Sequence, residues 1–200
     1  MKDIAVIKAW GRFFGQLHNL SKKFGKEHPD VVKRIQRWDQ VHNGTLAGVK
    51  LHPEDAALLD NSEHYGVLHG DLNTSNIHYV DGEDHLSVYD TDQVQVGFYL
   101  FDIAQACFTI VMLEEGGMPI SGTPVEGVNP KQFFGAMIEG YESEGHKLDM
   151  ERLNRMVGIK KQLYVRFAVQ AFKEGNIPAD MLPFLAWIRD TLVPKWKIDE

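Results

Sequence analysis

The chain has 200 residues, 44% of them hydrophobic and 24% charged, with a formal net charge of −7. That length supports one domain with its own core, and the excess of acid leaves no basic stripe for nucleic acid. The single cysteine, Cys107, excludes an intramolecular disulfide and, set in an apolar stretch, reads as a core residue rather than a nucleophile.

Lys2, Asp3 and Lys8 break up any signal-peptide block at the N-terminus, and the longest apolar run, 106–113, is far too short to span a bilayer. A cytoplasmic protein with no membrane and no nucleic-acid partner is expected. Residues 1–24 place Ile4, Ile7, Trp10, Phe14, Leu17 and Leu20 at helical spacing and predict an amphipathic helix. Residues 25–29 break it, and Asp30 is placed to cap a second helix over 31–41, with Ile35 and Trp38 on its apolar side. Asn43-Gly44 and Gly48 mark a loop. Pro53, Glu54 and Asp55 then open a short helix through Leu59, with proline first and acids at the positive helix end.

The chemistry lies in 66–104. His69, Asp71 and Asn76 stand at the spacing H-x-D-x-x-x-x-N of kinase catalytic loops. Residues 77–80 and 86–89 read as short strands joined by a loop holding Asp81-Gly82. Pairing Ile77 with Tyr89 sets Asn76 opposite Asp90, where directly opposed Cβ atoms lie about 5 Å apart. An amide oxygen and a carboxylate at that separation suit Mg²⁺. Asp71, just before the first strand, is placed to accept a proton from a hydroxyl facing the metal-bound phosphate.

Residues 93–99 read as a connection, and Asp102 as the cap of a helix to about Leu113. The loop 114–129 contains Gly117 and Gly122 at P-loop spacing, but Thr123-Pro124 follows in place of the phosphate-binding lysine. Asn129-Pro130 opens a helix through Tyr141, and Asp149 caps a long one over 150–173 that Gly175 and Pro178 end. A last helix over 179–192 is stopped by Pro194. His64, His69 and His78 share no helical face and no cysteine joins them, so no zinc site is expected.

The 66–104 stretch resembles the aminoglycoside phosphotransferase and choline kinase group, small-molecule kinases related in fold to protein kinases. Its loop usually reads H-G-D-[LI]-H-x-x-N, its metal strand [IVF]-D-[FW]-[DE] and its following helix D-[LI]-A. Here His69, Gly70, Asp71, Leu72 and Asn76 match, as do Asp90, Asp92, Asp102, Ile103 and Ala104. Asn73 replaces the common histidine and Thr91 the common aromatic, departures that bear on substrate subclass. Leu17-His18 resembles the L-H ending the first helix of the group's large lobe, and Gly140-Tyr141 its G-Y; His18 reads as functional or as a packed residue.

The resemblance implies an α+β, mainly α fold: the C-terminal lobe of the protein-kinase-like architecture, with helices around a catalytic β-hairpin. It implies transfer of the γ-phosphate of ATP to a hydroxyl of a small molecule. Asp71 would be the base, Asn76 and Asp90 would hold Mg²⁺ and nucleotide, and Asp92 would share the metal site. His69 and Asp102 would organise the loop, Asp102 by accepting backbone hydrogen bonds, a role compatible with capping. The acceptor would be a hydroxylated metabolite or an aminoglycoside-like compound, and acids such as Glu139, Glu142, Glu144, Asp190 and Glu200 could meet a cationic one.

Only the group's large lobe is covered. Its smaller, β-rich lobe supplies a phosphate loop and a strand lysine, whereas the residues before His69 read as helices. Residues 1–200 are therefore expected to be a single domain, the catalytic and substrate-binding lobe without an N-terminal nucleotide lobe. A fragment, a mis-started gene product and a natural remnant all fit, and the isolated lobe is expected to be inactive. The alternative is a kinase-derived binding module without catalysis.

Overall fold

The first helix, α1 (Ile4–Glu27), starts where the Asp3 carboxylate caps the Ala5 amide. It runs a turn past the expected break, through Gly25 and Lys26. In the computed structural model, residues 3–79, 86–117, 127–175 and 177–196 are described. The Asp81-Gly82 turn, most of the loop around Gly122, Asn176 and the tail 197–200 lie outside them.

The helix expected over 31–41 is absent. Only α2 (Pro29–Val32) forms, and the chain then extends beside a strand. Trp38 donates to the Val96 carbonyl at 2.9 Å, and Val96 donates to Gln36 at 2.8 Å. The burial of Trp38 thus comes from sheet contact, which its spacing from Ile35 imitates. Two single turns follow, α3 (Val41–Gly44) and α4 (Pro53–Ala56), the latter shorter than expected. Buried Asp55 ties α4 to a later helix, receiving Arg155 Nε at 2.6 Å and Arg152 Nε at 3.2 Å.

Among the described residues two antiparallel pairs make up the sheet structure. β1 (Tyr65–Leu68) pairs with β4 (Gln95–Phe98), which the sequence presents as a mere connection. Its signal is weak because Gly66 and Gly97 stand opposite each other and glycine is depleted in strands. β2 (Ile77–Tyr79) pairs with β3 (Leu86–Val88), but one residue out from the expected register: Ile77 faces Val88, so Tyr89, not Asp90, stands across from Asn76. Asp90 cannot take the place opposite Asn76, because at φ 65° its backbone is left-handed and ends the ladder at Tyr89.

β4 leads straight into α5 (Tyr99–Gly116), so the first helical residue is Tyr99 and Phe98 occupies the cap position. Asp102 is a first-turn residue, not the cap. α6 (Pro130–Glu142) and α7 (Met150–Glu174) form as expected, capped by the Asn129 and Asp149 side chains, and Gly175 closes α7 in a left-handed turn. The last helix does not stop at Pro194. α8 (Leu182–Trp187) passes through a wide π turn, 188–192, into α9 (Val193–Trp196). That turn opens the hydrogen-bond ladder where proline has no N–H to donate.

α1 and α6 cross with their backbones in contact. A Cβ on Gly11 would overlap the Met137 carbonyl, and one on Gly140 would overlap that of Lys8. Trp10, Phe14, Phe133 and Tyr141 fill the core around this crossing. A second cluster joins Phe108 and Met112 of α5 to Ala168 of α7 and Leu185 and Ile188 of the C-terminal helix. α5 and α7 thereby frame the end of β1, where the catalytic-loop motif begins.

Candidate active site

The loop after β1 is held from below by a buried carboxylate. Asp102 is fully buried and accepts the backbone N–H of His69 at 3.0 Å and of Gly70 at 2.8 Å. Gly70 sits at φ 87°, where a side chain would collide with the Gln93 carbonyl and the Gln95 amide. On the far side of Asp102, Nε2 of buried His18 lies 3.6 Å from Oδ2, an electrostatic contact rather than a hydrogen bond. Nδ1 of His18 meets the Tyr141 hydroxyl at 3.1 Å. Burial pushes the His18 pKa down, with Asp102 opposing.

His69 fastens the loop to the hairpin. Its Nε2 lies 3.3 Å from the Tyr89 carbonyl, so the proton of this hydrogen bond resides on Nε2. The bond fixes the backbone immediately before Asp90.

Asp71 projects next. Gln105 of α5 donates to its Oδ1 at 2.8 Å and Asn73 to the same oxygen at 3.2 Å. Oδ2 has only a 3.5 Å approach from the Asn76 amide. Asn73, at the position where histidine is common, also receives the Ser75 amide at 2.8 Å and so stiffens the loop. Asn76 is buried and donates Nδ2 to the Asp71 carbonyl at 2.8 Å, which leaves its amide oxygen as the atom for a ligand.

Asp90 and Asp92 are exposed and close together. The charge of Asp92, with Asp71 further off, raises the Asp90 pKa. Among the described residues no three His, Cys, Asp or Glu side chains converge on a point, so any cation here would complete its shell with Asn76, water or ligand oxygens. The donor set of one amide and two carboxylate side chains fits a hard divalent cation.

These groups open onto a cleft of about 250 Å³, which carries Asp71, Asp90 and Asp92 from the loops and Lys160, Tyr164 and Phe167 from α7. A larger hollow, about 550 Å³, lies elsewhere, between the Gly48–Lys50 loop and α7, and two of the cations lining it, Lys161 and Arg166, are engaged. Lys161 pairs with Glu115 at 2.6 Å, and Arg166 donates to the Thr45 and Ala47 carbonyls.

The structure thus brings Asp71, Asp90 and Asp92 to one opening, with Asn76 buried and bonded to the Asp71 carbonyl and with His69 and Asp102 behind the loop. Two residues escaped the sequence reading. Gln105 is a buried polar residue within the apolar middle of α5. Lys160 falls at helical spacing within the stripe Leu153, Met156, Leu163, Phe167, and a charge on a buried face was the available signal. Burial pulls its ammonium down to about 8, while Asp71 and Asp102 oppose the shift.

A model of the phosphotransferase enzyme family (APH) matches residues 4–128. Among solved structures, the amicoumacin kinase hAmiN, in complex with AMP-PNP, Ca²⁺ and Ami, superposes with a TM-score of 0.62 at 18% identity. The match covers 97% of this chain and 60% of that one, so the chain spans less than two thirds of the kinase's length. No curated protein matches. Among the described residues no helix is long and apolar enough to cross a membrane.

Proposed function

Since the chain belongs to the phosphotransferase enzyme family, we propose that it is the catalytic lobe of a kinase moving the γ-phosphate of ATP to a hydroxyl of a small molecule. The observation that carries this reading is the clamp of Asp102 on the His69 and Gly70 amides, which presents Asp71 at the cleft beside Asp90 and Asp92, two carboxylates that no basic side chain pairs with among the described residues. Phosphoryl transfer needs little covalent work from the protein. It needs positioning and charge stabilisation.

Asp71 takes the proton of the acceptor hydroxyl or orients it. Gln105 and Asn73 hold one of its oxygens, and Oδ2 is the oxygen we assign to the acceptor. Asn76 and Asp90, with Asp92, would hold Mg²⁺ and through it the nucleotide, whose phosphate charge a bound Mg²⁺ neutralises. The nucleotide analogue and divalent ion carried by hAmiN support that pairing. His69 and Asp102 position the loop without touching substrate. A cytoplasmic setting follows from the use of ATP.

The described residues before His69 form α1–α4 and β1, with no glycine-rich strand–turn–strand to cover phosphates. We therefore read residues 1–200 as one domain, a catalytic and substrate-binding lobe that holds Mg–ATP weakly by itself and turns over negligibly. The same observation favours a second reading, a kinase-derived binding module. Thermal unfolding with Mg–ATP titrated, beside Asp90→Ala, separates them. At ~100 times its Kd a ligand stabilises the native state by about 2.7 kcal/mol. A shift that needs Mg²⁺ and vanishes in the variant supports the kinase lobe. No shift in either protein rejects nucleotide binding by this chain, and robust ATP turnover would refute the incomplete-lobe reading.

A further inference from the structure

The cleft contains one charge that the reaction above leaves unused. Lys160 is 1% exposed, yet its ammonium meets only the Gly70 carbonyl, at 3.5 Å, and the Phe101 ring, 3.8 Å from the centroid. Among the described residues no carboxylate approaches it within 4.0 Å. An ammonium has three donors, and a buried charge with one long hydrogen bond is costly. Neither neighbouring carboxylate pairs with it: Asp102 holds two backbone amides, and Asp71 receives Gln105 and Asn73 on Oδ1 while its Oδ2 is kept for the acceptor.

His42 lines the same cleft, presented by a left-handed turn at φ 52°. Partial desolvation of its otherwise exposed ring, with Lys160 adding to it, lowers its pKa, so near neutral pH it is an uncharged imidazole with a hydrogen bond to give. Among the described residues no acid lines the cleft apart from Asp71, Asp90 and Asp92. A polycation would find those three committed to cation and hydroxyl, and Lys160 opposed to it. At about 250 Å³ the space falls below the usual range for drug-sized ligands.

Resting on the phosphotransferase reading, we propose that the acceptor is a short alcohol carrying a carboxylate, which pairs with Lys160 and accepts a hydrogen bond from His42, delivering its hydroxyl to Asp71. Lys160 stands on the carbonyl of the residue before Asp71, so both ends of a small hydroxycarboxylate can be engaged at once. The carboxylate supplies the acceptor atoms that Lys160 lacks. Aminoglycoside-like acceptors are thereby disfavoured.

The test titrates the purified chain with three compounds of one skeleton: 2,3-dihydroxypropanoate, its amide, and 3-aminopropane-1,2-diol. Binding is read by calorimetry and by thermal midpoint. The carboxylate should bind tightest, and Lys160→Met should weaken it by about 10- to 100-fold. His42→Ala, at an exposed position, should weaken it several-fold and keeps the test decisive if Lys160→Met does not fold. Equal or tighter binding of the amide or the amine, no binding of any member, or carboxylate binding indifferent to both substitutions overturns the proposal. Lys160 could also meet the transferred phosphate. In that case Lys160→Met would lose the Mg–ATP shift and keep the carboxylate, which equally overturns it. Failure of the phosphotransferase reading itself shows separately, as a missing Mg–ATP shift in the unaltered chain.

Discussion

Asp102 and Asp90 are the same side chain in opposite circumstances. Asp102 is sealed inside the fold, and its two oxygens receive the amides of His69 and Gly70. Asp90 stands in the open at the end of β3, and Asp92 beside it makes its negative charge harder to hold. One carboxylate is completed by the chain and the other is left incomplete by it. The difference separates what builds the loop from what the loop awaits: a finished acid fixes geometry, and an unfinished pair is reserved for a cation from outside.

The largest effect should come from breaking the finished member. Asp102→Ala orphans two buried amides, at about 1–3 kcal/mol each, so denaturant unfolding should show a loss of about 2–5 kcal/mol. A loss below 1 kcal/mol would mean that water or a shifted loop replaces the carboxylate easily.

A smaller effect, visible only against pH, sharpens the contrast with a third charge, this one buried. Lys160 has its pKa lowered from 10.5 to about 8 in the folded chain. Between these values the unfolded chain binds the proton and the folded one does not, so stability should rise with pH from about 8 to 10.5. Lys160→Met should flatten that rise; parallel curves for the two proteins would place the lysine in water.

The smallest stability effect belongs to the unfinished member. Asp90→Asn removes a repulsion and should leave the thermal midpoint unchanged or slightly higher. Its consequence is for the cation: as pH falls through the raised pKa of Asp90, protons compete with Mg²⁺, and Mg²⁺ affinity should fall. Mg²⁺ affinity independent of acid pH would remove Asp90 from the proposed metal set.

What the sequence discloses follows from how local each feature is. His69, Asp71 and Asn76 lie within eight residues, and Asp90 with Asp92 within three, so spacing alone sets them near one another. The capping residues Asn129 and Asp149 are equally local. That Asp90 leaves the β2–β3 ladder depends instead on its left-handed backbone, which no composition signal announces. The helix expected over 31–41 failed because Ile35 and Trp38 satisfy helical spacing while the backbone there answers to Val96, far along the chain. Lys160 and Gln105 reach Asp71 or its neighbour only through packing of α7 and α5, a long-range fact.

The crossing of α1 and α6 also governs how this molecule can drift. Gly11 and Gly140 leave no room for a single methyl group, and two turns along α1 His18 touches Asp102. Any sideways adjustment of that helix is therefore transmitted to the loop that carries Asp71. The cleft walls at His42, Tyr164 and Phe167 belong to other elements and touch none of this crossing. A lineage or a directed library could exchange the exposed wall residues His42 and Phe167 and change acceptor preference, while the two glycines stay frozen and the reacting geometry is inherited intact.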